Sequence, residues 1–114
     1  LVKKTAIDLK EAGIKVSIFV DPDYDQIKAI AKIGVEAIEI NTAGLRKPVK
    51  EIYPSAAFLR IARAMDIPIT LGSDAHAPGE VGMNFREAVA LARACGYTAY
   101  ARFSKRQRTM HPLP

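Results

Sequence analysis

Hydrophobic and polar positions change period several times along the chain, from helical spacing to short blocks rich in Val, Ile and Phe. That pattern predicts alternating α and β units. Lys3 to Ala12 carries the helical spacing and Gly13 stops it, after which Ile14-Lys15-Val16-Ser17-Ile18-Phe19-Val20 predicts a strand. Asp21-Pro22-Asp23 starts the next helix, because an acidic cap suits a first turn and proline cannot lie deeper in it. Ile27, Ile30, Ala31 and Ile33 form its buried stripe, Gly34 ends it, and Val35 to Asn41 predicts the second strand. A loop runs from Thr42 to Tyr53. Pro54-Ser55 opens a third helix, with Ala57, Leu59, Ile61, Ala64 and Met65 toward a sheet, and Ile67-Pro68 stops it. Ile69 to Ser73 is the third strand, followed by a loop from Asp74 to Gly82. Asn84 caps a helix from Phe85 to Ala94, Gly96 ends it, and Tyr97 to Phe103 is the fourth strand.

The expected order is αβαβαβαβ. Strands separated by helices need right-handed crossovers and run parallel, which gathers every strand-to-helix loop at one end of the sheet. Ile38 and Ile40 share one strand face while Glu39 and Asn41 share the other; Ile69 and Leu71 oppose Thr70, Gly72 and Asp74. One face therefore wants helices and the other is partly polar, as in the wall of a barrel. A complete (β/α)₈ barrel takes about 250 residues. The fold class expected is thus α/β, a parallel (βα) half-barrel of four strands, with a flavodoxin-like layered sheet as the alternative. Its core would contain Ile14, Val16, Ile18, Val20, Ile27, Ile30, Ile38, Ile40, Leu59, Ile69, Leu71, Val89 and Leu91. Alone, such a half-barrel exposes Phe19, its inner face and two strand edges, so pairing into a homo-oligomer through them is expected.

Composition narrows the class. With 114 residues and a single cysteine, the chain reads as one domain without a disulfide framework. Hydrophobic residues at 49% and charged residues at 25% suit a globular core. No apolar run approaches the roughly 20 residues of a membrane span, and Leu1-Val2-Lys3-Lys4 lacks the features of a signal peptide, so a soluble, cytoplasmic protein is expected. Seventeen basic against twelve acidic residues give a net charge of +5, which favours anions in general without selecting nucleic acid. Lys105, Arg106 and Arg108 lead into His111-Pro112-Leu113-Pro114, and residues 105–114 read as a solvated basic tail. Neither a nucleic-acid nor a membrane partner is expected.

Polar residues at strand ends are the candidates for chemistry: Asp21 and Asp23, Asn41 and Thr42, Asp74 and His76. Gly72-Ser73-Asp74-Ala75-His76 is the sharpest local pattern, since a carboxylate and an imidazole two residues apart can converge on one cation. The same residues equally suit a loop cap and an exposed histidine. Cys95 sits at a helix end with no paired histidine and reads as a small buried side chain. Tyr97 and Tyr100 read as strand packing, and neither a Gly-x-Gly-x-x-Gly nor a P-loop pattern occurs.

From Glu39-Ile40-Asn41-Thr42-Ala43-Gly44-Leu45-Arg46-Lys47-Pro48 through Glu51-Ile52-Tyr53-Pro54-Ser55, then Ile67 to His76 and on to Phe103-Ser104-Lys105-Arg106, the chain resembles histidinol phosphatases of the PHP superfamily. The resemblance implies a distorted seven-stranded (β/α) barrel that hydrolyses phosphate esters with a cluster of two or three metal ions. It matches Asp74 and His76 to the last ligand pair and places Arg46 and Lys47 in the loop near the substrate phosphate. The first third differs. Ala12 to Asp23, Gln26-Ile27, Ile33-Gly34 and Ile38-Glu39-Ile40 resemble pyridoxine 5′-phosphate synthase, a (β/α)₈ barrel that condenses an amino ketone phosphate with a deoxyxylulose phosphate. Asn41 stands where that family has a strand-end histidine.

The two resemblances meet around Glu39 to Thr42, which implies an engineered or recombined chimera: residues 1–40 synthase-like, 41–104 phosphatase-like and 105–114 a basic tail. The phosphatase family's opening His-x-His, mid-barrel Glu and further His ligands have no counterpart here. The ligand set is incomplete, and His111 matches none of it. The expectation is a fragment without turnover and with a structural role, with no assigned catalytic residue and no resident cofactor. A vestigial Zn, Mn or Fe site at Asp74 and His76, acting in residual metal-dependent phosphoesterase chemistry, is one alternative. Passive binding of phosphate or sulfate at Arg46 and Lys47 is the other.

Overall fold

The computed structural model describes residues 2–114; Leu1, the first residue of the Leu1-Val2-Lys3-Lys4 start considered above, lies outside the described residues. Four helices form where the hydrophobic period predicts them: α1 Val2–Glu11, α2 Tyr24–Ile33, α3 Ala56–Ala64 and α4 Phe85–Ala94. Local chemistry sets their ends. The Asp23 carboxylate accepts the Gln26 N–H and the Ser55 hydroxyl accepts the Phe58 N–H, each satisfying a free donor of the first turn. Gly34 closes α2 in the left-handed region at φ 72°, and Lys10 of α1 donates to the carbonyls of Ile33 and Gly34 at 3.0 and 2.6 Å. Asn84 marks the start of α4 by a different route from the one expected. Its own backbone is left-handed at φ 62°, and its side-chain amide donates to Glu87 Oε1 rather than capping the backbone.

Two short strands, β1 Ile38–Asn41 and β2 Ile69–Gly72, pair in parallel with Ile38 opposite Ile69 and Asn41 opposite Gly72. Their apolar face meets the helices. Ile40 and Ile69 are buried with Leu59 of α3, Val89 and Ala92 of α4, Cys95, Tyr97 and Leu113. A second cluster, Ile27, Ile30, Phe58, Ala62 and Ile67, binds α2 to α3. Both clusters lie on the helix side of the parallel pair, as the alternation along the strands requires. The chain is therefore a mixed α/β protein with a small parallel sheet.

Three expectations need correction. Residues 14–20 do not form a strand, and Ile14, at 50% exposure, and Val20 leave the expected core; Phe19 is fully exposed. A strand requires a neighbour for its backbone groups, and the tie this segment makes to the start of β1 is a side-chain ion pair, Lys15 with Glu36. The fourth strand forms, but as β3 Ala99–Ser104 in an antiparallel hairpin with β4 Gln107–Pro112, a sheet separate from β1 and β2. Lys105 and Arg106, at φ 48° and 65°, make the left-handed two-residue turn whose twist matches such a hairpin. The basic residues 105–114 are thus not a free tail. Lys105, Arg106 and Arg108 stay exposed, while Leu113 is buried in the main core and its N–H donates to the Thr98 carbonyl. Among the described residues no helix is long and apolar enough to cross a membrane.

Candidate functional site

The C-terminal ends of β1 and β2 lie side by side, so the loops that follow them meet. Asn41 shapes the first: its side-chain oxygen accepts the Ala43 N–H at 2.8 Å, and its amide nitrogen donates to Glu39 Oε1 at 2.9 Å. A backbone bridge between Asn41 and Tyr53 folds the far end of this loop back onto the strand. Gly44 is required there. A Cβ at that position would stand 2.0 Å from the Glu51 carbonyl oxygen and 2.8 Å from the Tyr53 ring. Thr42 is fully buried and donates its hydroxyl to the Met83 carbonyl at 2.7 Å, joining the first loop to the end of the second.

Arg46 makes the main connection. One guanidinium nitrogen, Nη2, donates to the carbonyl oxygens of Ser73 at 2.7 Å and Asp74 at 3.2 Å, and lies 3.6 Å from Glu80 Oε2. The other, Nη1, is buried and faces no acceptor among the described residues. Glu80 also accepts the His76 N–H at 2.8 Å; that bond first, and the Arg46 charge after it, hold its carboxyl below the usual carboxylate range. Ser73 Oγ accepts the Gly82 N–H at 3.2 Å, closing the loop from its other end. Lys47, the other residue placed near phosphate, is exposed beside this network and does not enter it.

Asp74 and His76 share this loop. The His76 Nδ1 lies 2.8 Å from Asp74's own carbonyl oxygen and 4.0 Å from its carboxylate, and the imidazole is largely exposed. Catalytic zinc ordinarily has three protein ligands and an open position. Among the described residues, no three His, Cys, Asp or Glu side chains stand close enough to share a metal ion. Glu80 is turned to Arg46 and the His76 amide. This donor set does not fit the metal cluster that the phosphatase resemblance implies, and no catalytic step is derived through it.

The remaining candidates are dispersed. Asp23 is occupied as the α2 cap, and Asp21 exchanges hydrogen bonds with Gln26 across the same turn. His111 bonds Thr109 Oγ1 at 2.9 Å and packs near Tyr100 in the hairpin. Cys95 is buried as expected, its sulfur 3.6 Å from the Ala56 carbonyl oxygen. Tyr97 is buried too, donating its hydroxyl toward the carbonyls of Ile67 at 3.1 Å and Leu59 at 3.4 Å; burial pushes its pKa up to about 12. Reading the sequence missed Glu80 and Ser73. The available signal was a carboxylate four residues beyond His76 in a Pro-Gly turn, where it can reach back to a free amide. Between β2 and β3 lies a cleft of about 480 Å³ lined by Thr70, Leu71, Phe85, Tyr100, Arg102 and Phe103, away from Asp74 and His76.

Comparison with known proteins finds likeness to two families. It is 53% identical over 78 residues to a probable histidinol-phosphatase of Deinococcus radiodurans, covering 67% of this chain and 30% of that protein. It is 46% identical over 66 residues to the pyridoxine 5′-phosphate synthase of Desulforapulum autotrophicum, covering 58% of this chain and 28% of that one. The synthase of Geobacter sulfurreducens is 39% identical over 64 residues, with 56% and 27% covered. The chain spans less than a third of the length of these curated relatives. Likeness to both families is therefore a property of the sequence. The match to the synthase side runs on past residue 40 and continues through β1, α3, β2 and α4. Matched over residues 1–94, the chain belongs to the family of the pyridoxal phosphate biosynthesis protein PdxJ.

Proposed function

We propose that this chain is one wall of a (βα) barrel, an engineered or recombined half-barrel joining synthase-like and phosphatase-like parts, with an assembly role and no turnover of its own. A second copy covers what it leaves open. The observation that carries this reading is the segment 14–20: rich in β-branched residues, outside any helix or sheet, and with Phe19 fully exposed. Burying one such phenylalanine contributes about 2 kcal/mol. Charge supports the same partner. Asp21, Asp23 and Asp25 are exposed next to Phe19 and Tyr24, while Arg102, Lys105 and Arg106 are exposed next to Phe103. The exposed charges flanking Phe19 in sequence are acidic and those flanking Phe103 are basic, so the first segment of one copy suits the basic hairpin of another. In the assembly, residues 14–20 pair as the strand that the half-barrel needs beside β1.

Sedimentation equilibrium over a range of concentrations tests the reading. A dimer is expected, with Phe19→Asp sedimenting as a monomer of unchanged far-UV circular dichroism; a strictly monomeric wild type would overturn it. The exposed Lys47 favours a second reading, passive binding of phosphate at the strand-end loops, and saturable phosphate binding by a monomer would support that instead. Metal-stimulated hydrolysis of a simple phosphate ester, lost in Asp74→Ala, would replace both with residual phosphoesterase activity at Asp74 and His76.

A further inference from the structure

The 73–82 loop occupies the strand end at which the phosphatase resemblance puts metal, yet a different cation already stands there. We propose that the Arg46 guanidinium organises this loop in place of a metal ion, holding Asp74 and His76 in position without one. Three oxygens of the loop converge on a single nitrogen: the carbonyls of Ser73 and Asp74 and the carboxylate of Glu80. Oxygen donors of this kind are what a hard cation would gather from a loop. A planar guanidinium serves them in fixed directions, which a lysine ammonium does not do as well. Nη2 is thus shared among loop oxygens, while Nη1 is buried without an acceptor among the described residues.

The remaining bonds carry this order along the loop. Glu80, fixed beside Arg46, receives the His76 N–H, and Ser73, whose carbonyl Arg46 holds, receives the Gly82 N–H through its hydroxyl. The Thr42 hydroxyl bond to Met83 fastens the segment just beyond. All of these contacts lie within one chain, so the role of Arg46 is independent of whether copies associate.

Hydrogen exchange at the His76 and Gly82 amides tests the proposal, measured with zinc or manganese chloride and again with a chelator. In the wild type, protection should be the same under both conditions. Arg46→Met should speed exchange at both amides by roughly tenfold, and Arg46→Lys should restore only part of it, since hydrogen bonds from a charged donor are among the stronger local contacts. Faster exchange in Glu80→Ala at His76 is expected as well, and this substitution on a partly exposed turn leaves the core untouched should Arg46→Met fail to fold. Zinc or manganese that slows wild-type loop exchange, with the effect lost in Asp74→Ala, would overturn the proposal. So would unchanged His76 protection in Glu80→Ala.

Discussion

Residues 14–20 and the hairpin of β3 and β4 make an instructive pair. The first, Ile-Lys-Val-Ser-Ile-Phe-Val, has the stronger strand composition, yet it is not a strand; the second is polar, basic and contains His111-Pro112, yet it forms a complete antiparallel ladder. Pairing accounts for the difference. Lys105 and Arg106 turn the chain back on itself, so β4 meets β3 with two residues of intervening loop. Residues 14–20 are followed within a few residues by α2, and no hairpin can serve them locally. Strand propensity describes how well side chains suit a pleated surface; it does not supply the neighbour.

The largest expected effect comes from releasing the hairpin's anchor. Leu113→Ala removes a buried side chain from the main core at a cost of about 3 kcal/mol, and should unravel β4 before the helices melt, as seen by exchange at residues 107–111 against α3 and α4. Next is Tyr97→Phe, which frees the carbonyls of Ile67 and Leu59 at the base of β3, for roughly 1–2 kcal/mol. This variant has a pH signature. The folded tyrosine ionises near 12 rather than 10, so the native state holds its proton longer, and wild-type stability is full below pH 10 and declines between pH 10 and about 12. Denaturant titrations across that window should show the decline in the wild type and lose this component in Tyr97→Phe.

The smallest effect belongs to the unpaired segment. Its Lys15 bond to Glu36, and to a lesser degree the charges of Lys15, Arg108 and Lys10, hold the Glu36 carboxyl below its ordinary value of 4.5. A depressed carboxyl contributes fully above its ordinary value and loses that contribution as pH falls from there through the lower folded value. Glu36→Gln should leave the melting temperature at neutral pH nearly unchanged while raising protease sensitivity at residues 14–20, an effect that the wild type should approach below pH 4. Equal sensitivity of both proteins at neutral pH would mean that this ion pair does not hold the segment.

Helices were legible because their causes are local. Asp23, Gly34 and Ser55 each act within a few residues of themselves, and the apolar stripe of α2 selects Ile27 and Ile30 from its own spacing. Parts of the candidate site were legible for the same reason, since strand ends bring Asn41, Thr42, Asp74 and His76 to one edge once the strands run parallel. The partners of these residues were not. Arg46 reaches carbonyls 27 and 28 residues away, and Thr42 a carbonyl 41 residues away, connections that no spacing rule encodes.

What the sequence determined by itself is the set of segments able to be helix or strand, the face each would bury, and the likeness to two barrel families. Tertiary structure decided which strands found partners, that the basic C-terminal residues fold back with Leu113 in the core, and that Arg46 turns toward the 73–82 loop. The physical reason is range. Caps and periodicity are settled between near neighbours, whereas a ladder, a buried anchor or a charge gathering distant carbonyls exists only after the chain has brought remote residues together.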